Sequence, residues 1–451
     1  LRRVMGLVDF ERSTHSPDHA AFHLERMALL LERLGHPELG VPAIHIAGTK
    51  GKGSTAAMVA SILTAQGYKA GLYTSPHLHT AVERIRVGLE PIGRQKFAAL
   101  VEHAWPAVGW VARNGPYGDV TTFELLTAMA FLHFSQIGAD FQVVEVGMGG
   151  RLDATNVVRP AVSVITALSL DHVATLGDTL SLIAAEKAGI IKRGVPVVIG
   201  PQPGEALGVV REVADRNSSP VVQVGKDVTW SVRGDDDDGQ AVDVVGLHGA
   251  YRLRLPLIGE HQLENAATAV AAVESLADAG FSMSREGILE GLTRVRWPGR
   301  LEVLKREGGL VVVDGAHNPA SMARLVMAVQ DNFSFRRAIL IFGATSGHSA
   351  REMMEELEAL SPLLIVARSR HPRSAPTKTI ARTARDMGMR VRFESEDVGR
   401  AVRHALKIAQ EGDLVLGTGS LSIVAEVIEE IKGIVPELYP DMKRPTVNKV
   451  T

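Results

Sequence analysis

Ile44-His-Ile-Ala-Gly-Thr-Lys-Gly-Lys-Gly-Ser-Thr55 runs directly into Ala56–Gln66. A strand-like apolar run ends in glycines, lysines and a hydroxyl pair, and a helix-like segment follows. That order suits phosphate. Glycines let backbone N–H groups turn inward, Lys52 supplies a point charge, and the N-terminus of the following helix favours an anion. A hydroxyl at Ser54 or Thr55 reaches the Mg²⁺ that accompanies a nucleotide. The stretch predicts ATP binding by Gly48, Thr49, Lys50, Gly51, Lys52, Gly53, Ser54 and Thr55.

The match to a strict Walker A motif is incomplete. That motif puts glycine where Ile46 stands and a hydroxyl where Gly53 stands. Gly51, Gly53 and Ala56 also satisfy a dinucleotide fingerprint, which requires a carboxylate near the end of the next strand. The segment Tyr68–Tyr73 runs instead into Thr74-Ser-Pro-His77, so a dehydrogenase is disfavoured.

Further polar clusters follow apolar runs. Phe141-Gln-Val-Val-Glu145 ends in a carboxylate and precedes Gly147-Met-Gly-Gly150, an arrangement like a Walker B acid that holds Mg²⁺. Leu168-Ser-Leu-Asp-His172 ends in a histidine, although Mg²⁺ prefers oxygen ligands. Arg151-Leu-Asp-Ala-Thr-Asn156 and Val313-Asp-Gly-Ala-His-Asn-Pro319 carry functional side chains but are also good loop formers. Open α/β sheets build their sites at such strand ends.

The elements that must position these residues alternate between two periodicities. Strands are expected at Ala43–Ala47, Gly71–Thr74, Phe141–Val146, Val162–Leu168, Val195–Ile199 and Val221–Val224. Val228–Val232, Ala241–Val245 and Tyr251–Leu257 read as small antiparallel strands, with Arg233-Gly-Asp-Asp-Asp-Asp-Gly239 as a solvated acidic tip. Helices are expected at Gln262–Ala279 and Ser284–Gly291. Trp297-Pro-Gly-Arg300 then breaks the pattern. Strands resume at Leu310–Val313, Ala338–Phe342, Leu363–Ala367, Arg390–Phe393 and Asp413–Leu416, and Pro436–Thr451 looks irregular. The prediction is an α/β protein of two domains, 1–296 and 297–451, each with a parallel sheet.

The chain of 451 residues is long for one core. Its net charge is −2 with the charges interspersed, so no basic face argues for nucleic acid. It has no cysteine, which excludes disulfides and thiolate chemistry. No apolar run approaches the ~20 residues of a membrane span. A cytoplasmic monomer is expected.

The ordered series Gly48–Ser54, Thr74–His77, Glu145–Asn156, Asp171-His172, Glu186–Lys192, Gly259–Asn265, Pro298-Gly-Arg300 and Asp314–Pro319 resembles the folylpolyglutamate synthase/dihydrofolate synthase family of the Mur ligase superfamily. The resemblance spans nearly the whole chain. It implies a P-loop ATPase domain with a mostly parallel sheet and a small antiparallel element, followed by a Rossmann-like domain. It also implies an ATP-dependent amide ligase that forms an acyl phosphate on dihydropteroate or a reduced folate and passes it to L-glutamate.

Residue by residue, the resemblance assigns catalysis to Lys52, His172 and Lys187, the last as a carbamylated lysine. Ser54, Glu145 and His172 are the expected Mg²⁺ ligands. Asn265, Arg300, Asp314 and His317 would contact ATP. Ser75, Pro76, His77, Phe123, Glu124, Arg151 and Asp153 would bind the carboxylate substrate. Phe123 could equally be core. The chain departs from the family at two places: Lys50 stands where asparagine is usual, and Ser422 where an aromatic is common. A ligase of cell-wall nucleotide precursors and a non-catalytic nucleotide-binding regulator are the alternative readings.

Overall fold

The computed structural model describes residues 1–13, 22–236, 239–305, 309–346 and 349–438. Eight strands come first: β1 (Ala43–Ala47), β2 (Ala70–Tyr73), β3 (Ile85–Val87), β4 (Glu90–Pro91), β5 (Phe141–Glu145), β6 (Pro160–Ile165), β7 (Val197–Ile199) and β8 (Val221–Gln223). They form one sheet in the order β4-β3-β2-β5-β1-β6-β7-β8. β1 pairs in parallel with β5 on one side and β6 on the other, while the β2–β3–β4 edge is antiparallel. Strand order therefore reverses about β1, and the loop after β1 opens at a switch point where such sheets bind ligands.

This sheet is covered on both faces, which explains why β1 and β5 are apolar runs without alternation. Ile44, Ile46, Leu72 and Val143 pack on the helices Lys52–Ala65 and Glu260–Asp278. Tyr73 and Val144 face Leu100, Leu125 and Phe131 of the helices Arg94–Asn114 and Thr122–Gln136. The Lys52–Ala65 and Glu260–Asp278 helices are buried nearly all round, so an apolar run such as that within Lys52–Ala65 has no polar face to reveal its period.

Strands β9 (Thr229–Asp236), β10 (Gly239–Val245) and β11 (Ala250–Leu255) make the small antiparallel sheet. Its acidic tip is narrower than expected, because Asp235 and Asp236 pair with Gln240 and Gly239 inside the ladder. Asp237 and Asp238 lie outside the described residues.

The remaining strands are β12 (Glu302–Lys305), β13 (Leu310–Val313), β14 (Arg337–Phe342), β15 (Leu363–Ala367), β16 (Arg390–Ser395) and β17 (Asp413–Thr418). They form a third sheet, β12-β13-β17-β14-β15-β16, in which only β12 is antiparallel to its neighbour. Its two faces bury Leu340, Leu364 and Leu416 on one side and Ile339, Ile341 and Val415 on the other. Of the tail expected to be irregular, Pro436–Leu438 carries no regular element and 439–451 lies outside the described residues.

Candidate active site

The loop after β1 turns into the Lys52–Ala65 helix at Gly51, whose φ of 85° is left-handed. A β-carbon there would stand 2.2 Å from Asn265 Oδ1, so the loop and the Glu260–Asp278 helix meet at a distance only glycine permits. Asn265 supports the loop from behind. Its Nδ2 donates to Gln262 Oε1 at 3.1 Å, and Thr55 Oγ1 faces its Oδ1 at 3.4 Å. Thr55 is fully buried in this contact, which leaves Ser54 as the hydroxyl nearer the loop mouth. Lys52 Nζ donates to the Gly48 carbonyl at 3.1 Å, curling its ammonium over the loop.

The segment after β6 holds the other side of the loop. Thr49 and Lys50 N–H groups both donate to the Ala167 carbonyl at 3.0 Å, and Thr49 Oγ1 donates to the Ser169 carbonyl at 3.1 Å. That explains why β6 ends at Ile165 rather than at Leu168 as the apolar run suggested: these carbonyls serve the phosphate loop and not a neighbouring strand. Lys50 does not point at the loop mouth as a spare cation. Its Nζ donates to Asp171 Oδ2 at 3.1 Å, in a pair about one-sixth and one-tenth exposed. Lys50 holds the Asp171 carboxyl below its usual range despite burial.

Glu145 ends β5 beside the loop. It is buried, and its Oε2 accepts the Ser75 N–H at 3.1 Å. Burial pushes its carboxyl up, against the opposing pull of Lys52 and Arg300. Lys187, on the Leu180–Ala188 helix, is also buried. Desolvation first and the Lys52 charge second push its ammonium down to about 7. His172 starts the next short helix in a left-handed conformation, φ 50°, with its N–H on Asp171 Oδ1 at 3.0 Å.

From the third sheet, Asp314 follows β13. Its two oxygens accept the N–H groups of Leu301 (2.9 Å) and Ala316 (2.8 Å), so this carboxylate shapes the linker and its own loop. Arg300 lies directly over Gly315, where a β-carbon would be 2.3 Å from its Nη1. His317 Nδ1 bonds the Gly315 carbonyl at 2.8 Å and its ring lines the adjoining cavity.

That cavity, about 400 Å³, is bounded by both halves of the chain. Ser75, Pro76, His77, Phe123, Glu124 and Asp153, all expected to bind substrate, line it, as does His172. The Ser75–Pro76 peptide is cis. Two of the carboxylates are committed: Glu124 accepts from Arg26 Nε at 2.9 Å and from the Thr121 N–H at 2.8 Å, and Asp153 accepts from Thr155 Oγ1 at 2.5 Å and the Met148 N–H at 2.9 Å. Phe123 packs over Gly147 and against Tyr73, so it is core and wall together. Arg151 alone is turned away: its guanidinium is half exposed, pairs with Glu186 and does not reach the cavity lining.

Several wall residues had no sequence signal. Arg84 pairs with Glu11 and donates to His77 Nδ1 at 2.9 Å. Arg370 and Glu426, from β15's loop and the Leu421–Lys432 helix, bring the second half to the wall, where Glu426 is pushed up to about 7 by burial. His79 meets Glu429 of that helix at 3.1 Å. Only their pairing across 56 to 350 residues of sequence reveals them, and no local spacing encodes that.

A phosphate loop at the switch point of a parallel sheet, a buried carboxylate on the adjoining strand and a cavity closed by a second α/β sheet define a two-domain, nucleotide-dependent enzyme. Comparison with known proteins agrees. Residues 46–273 match the Mur ligase middle domain and residues 299–421 the Mur ligase glutamate ligase domain. The chain is 35% identical over 412 residues to the dihydrofolate synthase/folylpolyglutamate synthase of Bacillus subtilis, covering 91% of this chain and 95% of that one. It is 35% identical over 385 residues to the folylpolyglutamate synthase of Lacticaseibacillus casei, covering 83% and 86%. The crystal structure of Mycobacterium tuberculosis folylpolyglutamate synthase complexed with ADP and AMPPCP superposes with a TM-score of 0.85 at 34% identity, covering 92% of this chain and 96% of that one.

The chain belongs to the Mur ligase family and, within it, to the dihydrofolate synthase/folylpolyglutamate synthases. It is an ATP-dependent ligase.

Proposed function

We propose that this ligase joins L-glutamate to a folate, to dihydropteroate, or to both. One observation carries the reading. Ser75 lines the large cavity while its N–H holds Glu145 beside the phosphate loop, so the nucleotide side and the substrate side share one residue. Phe10, Phe22, Phe123 and Met148 give that cavity the apolar surface a flat pterin ring needs.

The substrate carboxylate attacks the γ-phosphorus of ATP, the β–γ bridging P–O bond breaks, and ADP leaves. The amine of glutamate then attacks the acyl carbon. Phosphate departs from the tetrahedral intermediate with the C–O electron pair, and the ammonium proton is lost to solvent. Both steps bring anions together, and Lys52 and Arg300 supply the compensating positive charge.

Ser54, Glu145 and His172 would hold Mg²⁺, which neutralises phosphate charge when bound. The donors fit: a hydroxyl, an imidazole and a buried carboxyl that a divalent cation would return to its charged form. Among the described residues no cluster of three or more His, Cys, Asp or Glu side chains could hold a metal, so Mg²⁺ would need water and phosphate oxygens besides these residues. Lys187, an amine near neutrality beside Lys52, is suited to carbamylation. Asn265, Asp314 and His317 belong to the nucleotide side. We divide the chain into 1–296 and 297–451 and take it to work as a cytoplasmic monomer; no helix among the described residues is long and apolar enough to cross a membrane.

Phosphate release from ATP with Mg²⁺ and L-glutamate, compared between dihydropteroate and tetrahydrofolate, tests the reading. Release with both marks a bifunctional synthase, and release with one assigns the branch. Release with neither discards the folate reading and turns attention to cell-wall precursors.

A further inference from the structure

Lys50 is the residue at which this chain leaves its family's phosphate-loop pattern, and a second lysine two residues from Lys52 looks like an additional phosphate contact. Its geometry says otherwise. The ammonium is spent on Asp171 Oδ2 at 3.1 Å, while the other oxygen of the same carboxylate accepts the His172 N–H at 3.0 Å. Asp171 thus bridges a phosphate-loop side chain to the backbone of His172.

The bridge has a demanding end. His172 is one of five described non-glycine residues with positive φ, at 50°. A non-glycine residue in that region costs of order 1–3 kcal/mol and persists where its surroundings fix it. Around it, the Asp171 carboxylate accepts the His172 N–H, the His172 carbonyl accepts the Thr175 and Leu176 N–H groups, and just upstream the Ala167 and Ser169 carbonyls bond the phosphate loop. Lys50 is the loop residue whose side chain reaches that carboxylate.

We infer that Lys50 is a positioning residue: through Asp171 it presets the His172 segment against the phosphate loop, so that a divalent cation entering with the nucleotide finds the imidazole already in place. This inference rests on the assignment of His172 to the metal. Lys50 does not touch the phosphates in this account. A shared carboxylate tying two segments is also coupled, so removing either partner removes the same effect.

Calorimetric titration with ADP separates the possibilities, because it can be run in EDTA and again with saturating Mg²⁺. For Lys50→Ala the expected result is wild-type ADP affinity in EDTA and a roughly 10-fold smaller Mg²⁺-dependent gain, the low end of the effects transmitted through ligand-supporting residues. Asp171→Asn should do the same, and the double variant should be no worse than either single. Lys50→Asn, short of Asp171, should behave as Lys50→Ala, and an unchanged melting temperature of each variant excludes general unfolding.

A loss of ADP affinity in EDTA would make Lys50 a phosphate contact and overturn the inference. Additive losses in the double variant overturn it equally. His172→Ala distinguishes the underlying assignment: if it abolishes the Mg²⁺-dependent gain while Lys50→Ala keeps it, only the positioning role fails. If His172→Ala keeps the gain, the metal assignment fails and this inference with it.

Discussion

The indole of Trp297 closes on the phosphate loop at Gly53: a β-carbon on Gly53 would stand 3.3 Å from Trp297 Nε1 and 3.5 Å from Glu145 Oε2. Arg86 lies over the other side of the ring, 5.3 Å from its centroid. The linker residue is thereby pinned between the loop and the β3 edge. This explains why a hydroxyl residue does not follow Lys52 as the strict motif demands.

Gly53→Ser should therefore impair the enzyme although it restores the motif. Removing a helical glycine gains about 1 kcal/mol, while overpacking costs about 1–3 kcal/mol, so the net change should lie between neutral and about 2 kcal/mol destabilising. The KM for ATP should rise about 10-fold, because Glu145 and the loop are pushed apart. Steady-state kinetics beside a melting curve checks both halves, and an unchanged KM would refute the crowding argument.

Lys52→Ala should lower kcat about 10²- to 10³-fold, the usual effect of removing one group aimed at developing charge. Its ammonium makes one hydrogen bond, to the Gly48 carbonyl, so the fold should survive. Circular dichroism and phosphate release measured on the same sample would decide, and wild-type turnover would sink the assignment.

Lys187 offers a pH dependence with a definite sign. Its ammonium is depressed to about 7 in the folded chain, against about 10.4 unfolded, so between those values the unfolded state binds more protons and stability from this group rises with pH. The neutral amine, the form that accepts CO₂, grows over the same rise through pH 7. With ¹³C-bicarbonate, a carbamate carbon signal should appear above pH 7 and vanish in Lys187→Arg. Its absence in the wild type would leave the residue an ordinary lysine.

Glu145 predicts opposite effects on activity and stability. Burial raises its folded pKa, so ionisation at pH 7 opposes folding, and that penalty lessens as pH falls toward the unfolded value near 4.3. Glu145→Gln removes the charge and keeps the shape. It should stabilise the ligand-free protein by about 1 kcal/mol while eliminating most Mg²⁺-dependent phosphate release. A destabilised variant would show that the Ser75 N–H and the Lys52 and Arg300 charges already outweigh the burial penalty.

Much of this was readable beforehand where local rules govern. Ala43–Ala47 and Leu310–Val313 coincide with β1 and β13, because an apolar run bounded by glycines is sufficient signal for a buried strand. Short antiparallel edges escaped: Ile85–Val87, Glu90–Pro91 and Glu302–Lys305 have too few residues to show a period. The helix expected to stop at Gly291 continues to Arg294. That glycine is no stop signal; a β-carbon there would lie 2.4 Å from Ile62 Cα, so it exists for close helix packing.

At the site, residues in contiguous motifs were found, and those joined across the sequence were not. Lys50 with Asp171 lies between these cases: both residues were noticed, but only the fold turns the apparent extra phosphate cation into one half of an ion pair. Arg151 lies apart from the cavity for the converse reason. A motif orders residues along the chain, whereas the turn that follows Gly147–Gly150 sends Arg151 outward to Glu186 and brings Asp153, the cap of the short helix Ala154–Val157, to the cavity wall.

The cavity wall draws on residues from Met5 to Glu437. A ribosome that has translated only as far as β11 has already released a complete phosphate loop, yet Arg370 and the Leu421–Lys432 helix do not exist. The chamber that would house the acyl phosphate acquires its far wall only when the third sheet and the Leu421–Lys432 helix have followed. Synthesis thus imposes an order in which the nascent chain carries nucleotide-binding parts long before it has anywhere to direct a phosphoryl group.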